Sequence, residues 1–184
     1  MPIRPSREDI YKVTELVSCS ACADEALIRL VKYFRSRGLD LANELRQVDI
    51  ECAVSEVRDQ LTLLFKSEPL PREVGFIYFG LFDLRLDEGS GSHVGFYICG
   101  GYAFDRADSD SLCNPCYFPE DRSVSSGLLD LIKVMAITRP SGRDFLEYTV
   151  MLAAAALLVR FGLPSLGRPC KLIVGFDDGD YIEL

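Results

Sequence analysis

Positive charge is scarce in this sequence. Twenty Lys and Arg stand against 28 Asp and Glu, a formal net charge of −8. Neutralising phosphates needs clustered cations, so the balance excludes a general nucleic-acid binder. Histidine is scarcer still, with His93 alone in the chain. That removes H-E-x-x-H metal chemistry, and a Cys–His hydrolase would have to use His93. His93 stands at the first residue of a predicted strand, just past a turn, which suits an exposed edge position. G-x-S-x-G and the P-loop are also missing, and no lysine follows Gly89-Ser90-Gly91-Ser92 to make a phosphate loop of it. Long apolar runs are lacking. The longest, Val150 to Val159, falls well short of the roughly 20 residues that span a bilayer. The start, MPIRPSREDIYKV, carries no apolar stretch of signal-peptide kind. A cytosolic protein with no membrane partner is therefore expected.

What is present suits a folded domain. Hydrophobic residues make up 48% and charged residues 26% of 184 positions. A chain of this size buries roughly 70% of its unfolded surface, so a core needs no disulfide or metal to stand. No repeat and no long linker divides it. A single α+β domain over 1–184 is expected, with a helical subregion at 1–66 and sheet plus helices at 74–184.

In the helical part, Ser6-x-x-Asp9 has the form of a capping box ahead of Ile10, Val13 and Val17. A second helix starts near Asp24, with Leu27, Leu30, Val31 and Phe34 on one face, and ends at Gly38. A third is predicted as one piece from Leu41 through Leu45, Val48, Cys52, Val57, Leu61 and Leu64. At Val74 the pattern turns aromatic and β-branched. This predicts a hairpin pairing 74–85 with 93–99 around turn chemistry at Asp87–Ser92. Phe76, Tyr78, Phe79, Phe82, Phe96 and Tyr97 read as sheet core, since the cations a base-stacking platform needs are nearly absent around them. Ser125 or Ser126 caps the next helix. Ser141-x-x-Asp144 predicts a second capping box, opening a central helix buried nearly all round. Lys171–Phe176 and Tyr181–Leu184 form a last hairpin. The expected architecture is an N-terminal helical layer packed on an antiparallel sheet, with a central C-terminal helix.

Seven cysteines is an odd number, spread along the chain, and fits reduced thiols better than a disulfide framework. Cys19/Cys22 and Cys113/Cys116 could together supply four thiolates to zinc. However, ninety residues separate the pairs, against roughly 15–20 in ordinary zinc modules. Neither pair has the βαβ setting of a thioredoxin-like redox motif. No metal and no cofactor is expected.

Charge is uneven along the chain. Residues 1–66 hold ten basic and eleven acidic side chains, and residues 67–184 hold ten and seventeen. The excess sits in turns: Asp83, Asp87 and Glu88, then Asp105, Asp108 and Asp110, then Asp177, Asp178 and Asp180. The last two groups lack the spacing of a calcium loop. Carboxylates on protruding turns create a potential that steers a basic partner. Asp105, Asp108, Asp110, Asp177, Asp178 and Asp180 are accordingly the candidate partner-binding residues.

One block reads Gly101-x-x-Phe104-Asp105, acidic residues, Cys113, Tyr117-x-Pro119-x-x-Arg122 and then a helix. Another reads Gly175-Phe176-Asp177-Asp178-Gly179-Asp180-Tyr181-Ile182. Their order over 74–184 resembles families of small bacterial immunity proteins encoded beside polymorphic or contact-dependent toxins. Leu112 stands where such families carry a tryptophan. The resemblance implies a cytosolic, non-enzymatic protein that occludes a basic toxin domain. The alternative is a zinc-stabilised or small-molecule-binding regulatory domain.

Overall fold

Ser6 does cap the first helix. The computed structural model describes residues 5–84, 93–105, 115–120, 122–176 and 180–184. In it the Ser6 side chain accepts from the Asp9 N–H, and the Asp9 carboxylate accepts from the Ser6 N–H at 2.8 Å, opening α1 (Arg7–Ser18). Helix α2 (Ala23–Ser36) closes in a Schellman arrangement. Gly38 takes φ 88°, its N–H donates to Arg35, and the Leu39 N–H donates to Phe34 at 2.9 Å. The predicted third helix is two. Helix α3 (Ala42–Leu45) stops, and α4 (Ile50–Ser67) restarts after Asp49. The reason is local: the Asp49 side chain accepts the Cys52 N–H at 3.0 Å, which favours a cap over an uninterrupted helix.

Strands β1 (Phe76–Leu84) and β2 (His93–Gly101) form the expected hairpin, in register from Phe76 opposite Gly101 to Leu84 opposite His93. The turn residues Asp87–Ser92 lie outside the described residues. Short β3 (Ser123–Ser125) pairs with β2, and Ser126 caps α5 (Gly127–Thr138). Ser141 is not a cap. Pro140, with its fixed φ and no N–H to satisfy, starts a 3₁₀ turn over Pro140–Gly142 one residue earlier. The helix then runs through α6 (Arg143–Phe145), a π turn (Leu146–Val150) and α7 (Met151–Gly162). Strands β4 (Lys171–Phe176) and β5 (Tyr181–Glu183) pair antiparallel, as expected.

The fold is α+β, but its sheet is mixed rather than antiparallel, in the order β3-β2-β1-β4-β5. Strand β4 lies parallel to β1, from Phe76 opposite Lys171 to Leu81 opposite Phe176. The physical cause is the connection. Between β3 and β4 the chain crosses through α5, α6 and α7, and a helical crossover of that length returns a strand in the parallel sense.

Alternation along the strands sorts the two faces. Ile77, Phe79, Phe96, Ile98 and Val174 join the helices in one core. Phe76, Tyr78, Cys99 and Ile173 form a second, smaller cluster, with Phe104 and Tyr181 packed against it. Gly80 leaves room for the Tyr97 ring opposite it, since a Cβ there would stand 2.3 Å from the ring's outer atoms. Helix α7 touches α1, α2, α4 and α5 as well as β1, β4 and β5, and its residues from Met151 to Val159 are all buried. The stretch Pro140–Gly162 is long and apolar enough to cross a membrane by composition alone. However, 78% of its most apolar window is buried against the rest of the fold, as in a core helix.

Candidate functional site

Two of the six candidate carboxylates are described, Asp105 and Asp180. Asp108, Asp110, Asp177 and Asp178 lie outside the described residues. Asp105 is exposed and follows Phe104, whose ring meets the Tyr181 ring edge-on at 5.2 Å. Phe104 also packs on Phe76 at 5.8 Å, and the Lys171 ammonium stands 5.8 Å from its ring. These contacts bring the ends of the two acidic segments, Phe104–Asp105 and Asp180–Tyr181, alongside one another on the sheet. The sequence order does not require this, because residue 101 closes β2 at one end of the sheet and residue 176 closes β4 at the other. The bridge is the backbone of residues 102–104, which carries the Phe104 ring to Tyr181.

Asp180 has a structural duty as well. Its carboxylate accepts the Tyr148 hydroxyl, and the Tyr148 ring stacks on Phe176 at 4.9 Å with planes 15° apart. The Phe176 N–H donates to the Asp180 carbonyl at 3.0 Å, and a Cβ on Gly175 would stand 2.8 Å from that same oxygen. Asp180 therefore clasps the start of β5 to the π turn.

Beside this clasp, at the ends of β1 and β4, lies an open cleft of about 150 Å³ walled by Leu81, Phe82, Met151 and Phe176. Its polar wall is an ion-pair set. Glu147 accepts from Lys133 Nζ at 3.2 Å and from Arg143 Nε at 3.2 Å. Burial raises the Glu147 pKa, but those two cations outweigh it and hold the carboxyl below its ordinary value. His93 Nδ1 sits 3.2 Å from Asp130, which also accepts the Val94 N–H at 2.8 Å. Among the described residues His93 is bonded to a carboxylate, not to a cysteine. Sequence reasoning missed Tyr148 as the partner of Asp180 and Glu147 as the partner of Lys133 and Arg143. The i,i+4 spacing of Arg143 and Glu147 was the one visible signal.

Cys19 ends α1 and Cys22 precedes α2, both exposed, while Cys116 is exposed next to Tyr117. Cys113 lies outside the described residues. Among those described, no group of three or more His, Cys, Asp or Glu is placed to hold a metal ion. The Tyr117 hydroxyl donates to the Glu68 carbonyl at 2.8 Å, and burial pushes its pKa up to about 12. Tyr117 is thus an anchor between the sheet and the end of α4 rather than a reactive phenol. Compared with known proteins, the chain matches no family model, no curated protein and no solved structure.

Proposed function

We propose that this is a cytosolic, non-enzymatic binding protein of the toxin-immunity kind, which occludes a basic protein domain through its acidic edge. The observation that carries the reading is the seating of Phe104 on Tyr181. These two rings flank Asp105 and Asp180, the described members of the two acidic segments. The charge distribution supports it, since residues 67–184 carry seventeen acidic against ten basic side chains. Carboxylates grouped on one surface of a folded domain would present a negative potential to a cationic cleft. Long-range attraction then speeds capture, and close fit slows release.

The test is co-expression with the product of the adjacent reading frame. The reading expects a stoichiometric complex that survives purification and relief of any growth inhibition the neighbour causes. A neighbour that inhibits growth, neither binds this protein nor is relieved by it, overturns the reading.

A further inference from the structure

Among the described residues seven large apolar side chains stand exposed. Tyr11, Ile28, Leu63, Val134 and Ile137 lie on helices, where single exposed apolar side chains are ordinary. The other two, Tyr102 and Phe118, lie outside the helices and strands.

Phe118 is held outward by its neighbours. Tyr117 and Pro119, on either side of it, are both buried. Tyr117 exchanges both backbone hydrogen bonds with Gly100, at 2.9 and 3.0 Å, and its hydroxyl donates to the Glu68 carbonyl. The Glu120 N–H donates to the two oxygens of the Glu68 carboxylate at 3.0 and 3.1 Å. The Arg122 carbonyl accepts the Ile98 N–H at 3.0 Å, and the Arg122 guanidinium lies over the Phe118 ring, 4.1 Å from its centroid. A ring held this way loses little conformational freedom when a partner covers it.

The ring also faces the acidic side of the sheet. Pro119 favours extended backbone at Phe118, so side chains alternate across 117–118. Tyr117 packs into the helix-side core. Phe118 therefore points to the other side, where Phe104 packs on Phe76. Asp105 follows Phe104 and lies five residues past Gly100, the partner of Tyr117, at most about 18 Å of extended chain. An interface of ordinary size covers about 800 Å² of each partner, roughly 30 Å across, so one patch takes in both Phe118 and Asp105.

We infer that Phe118, with Arg122 stacked on it, is the apolar anchor of the partner interface. It fills a pocket on the basic domain whose cationic rim meets the exposed Glu120 and Asp105. This rests on the immunity reading and names the side chain that slows release, where the carboxylates speed capture. Aromatic and arginine side chains are enriched among the few residues that carry most of an interface's energy, and carboxylates beside the ring match a cationic rim.

The experiment measures association and dissociation rates of full-length variants with the product of the adjacent reading frame. Phe118→Ala is expected to dissociate at least about tenfold faster than wild type, with its association rate and salt dependence kept. The segment around the ring is tied by backbone atoms and by Tyr117 and Glu68, so the free variant is expected to melt like wild type. Arg122→Ala, which frees the ring, is expected to dissociate faster than wild type but more slowly than Phe118→Ala. Ile28→Ala removes a side chain as exposed as Phe118, 55% against 52%, and is expected to leave both rates unchanged. A complex that Phe118→Ala leaves at the wild-type dissociation rate overturns the anchor while the immunity reading stands. So does equal acceleration by Ile28→Ala. A growth-inhibiting neighbour that forms no complex with wild type overturns both.

Discussion

Phe145→Ala is expected to cost about 3–5 kcal/mol, the range for removing a buried aromatic ring and leaving a cavity. Phe145 is wholly buried and meets Phe34 edge-on at 6.1 Å, joining α6 to α2. Its ring also carries the Arg37 guanidinium at 5.7 Å. The neighbourhood cannot collapse easily, because α6 continues directly into the π turn and the buried α7. Domains of ordinary stability have about 5–15 kcal/mol in all, so the variant stands close to unfolding at room temperature. Urea unfolding measures it. Phe145→Leu, which keeps most of the apolar volume, is expected to lose distinctly less. A loss under about 0.5 kcal/mol for the alanine variant, typical of surface positions, would contradict the packing described.

Asp9→Ala is expected to cost about 3 kcal/mol at neutral pH. Asp9 is 1% exposed, and its carboxylate gathers five donors, one of them Arg37 Nη2 at 3.3 Å. The other four are the Ser6 N–H at 2.8 Å, the Ser6 hydroxyl at 2.5 Å, the Tyr33 hydroxyl at 2.5 Å and Arg37 Nε at 2.7 Å. Removing one partner of a buried ion pair costs about 3–5 kcal/mol, and the partly exposed Arg37 places this case at the low end. Burial alone raises the Asp9 pKa, but the hydrogen bonds from Ser6, Tyr33 and Arg37 and the charge of Arg37 reverse it and hold the carboxyl below its ordinary value. The sign of the pH effect follows. A depressed folded pKa gives stability that is fully present above the unfolded value, about 3.9, and is lost as pH falls through the folded one. The stability gap between wild type and Asp9→Ala is therefore expected to hold from neutral pH to about pH 5 and to close below about pH 4. A gap that stays constant into acid would show that the carboxylate charge is not what Arg37 and Tyr33 hold. Because Arg37 touches both Asp9 and Phe145, the two substitutions are also expected to be non-additive in combination.

Much of the fold was legible in the sequence, and the reasons are local. The Ser6 capping box, Gly38, the β1–β2 hairpin and the apolar helix after Pro140 each depend on residues close together in the chain. The single predicted helix over 41–64 failed because apolar spacing continues through the break, and only the capping strength of Asp49 interrupts it. The parallel pairing of β4 with β1 was not legible, because no pattern within either strand records the direction of its neighbour. The same limit applied to the site. Acidic turns could be read from composition, but the contact between Phe104 and Tyr181, which flank Asp105 and Asp180, could not, because it is made across the sheet. Asp9 looked like an ordinary cap residue, because its partners Tyr33 and Arg37 are 24 and 28 positions away.

The acidic edge is the centre of the functional account, and one rate tests it most directly. Association with the product of the adjacent reading frame is measured for wild type and for an Asp105→Asn, Asp108→Asn, Asp110→Asn variant, at low salt and near 1 M, where the Debye length is about 3 Å. The account predicts fast association at low salt for wild type, a rate lower by about tenfold or more for the variant, and convergence of the two at high salt, because steering by charge acts on the on-rate. Equal rates in both proteins with no dependence on salt would contradict it.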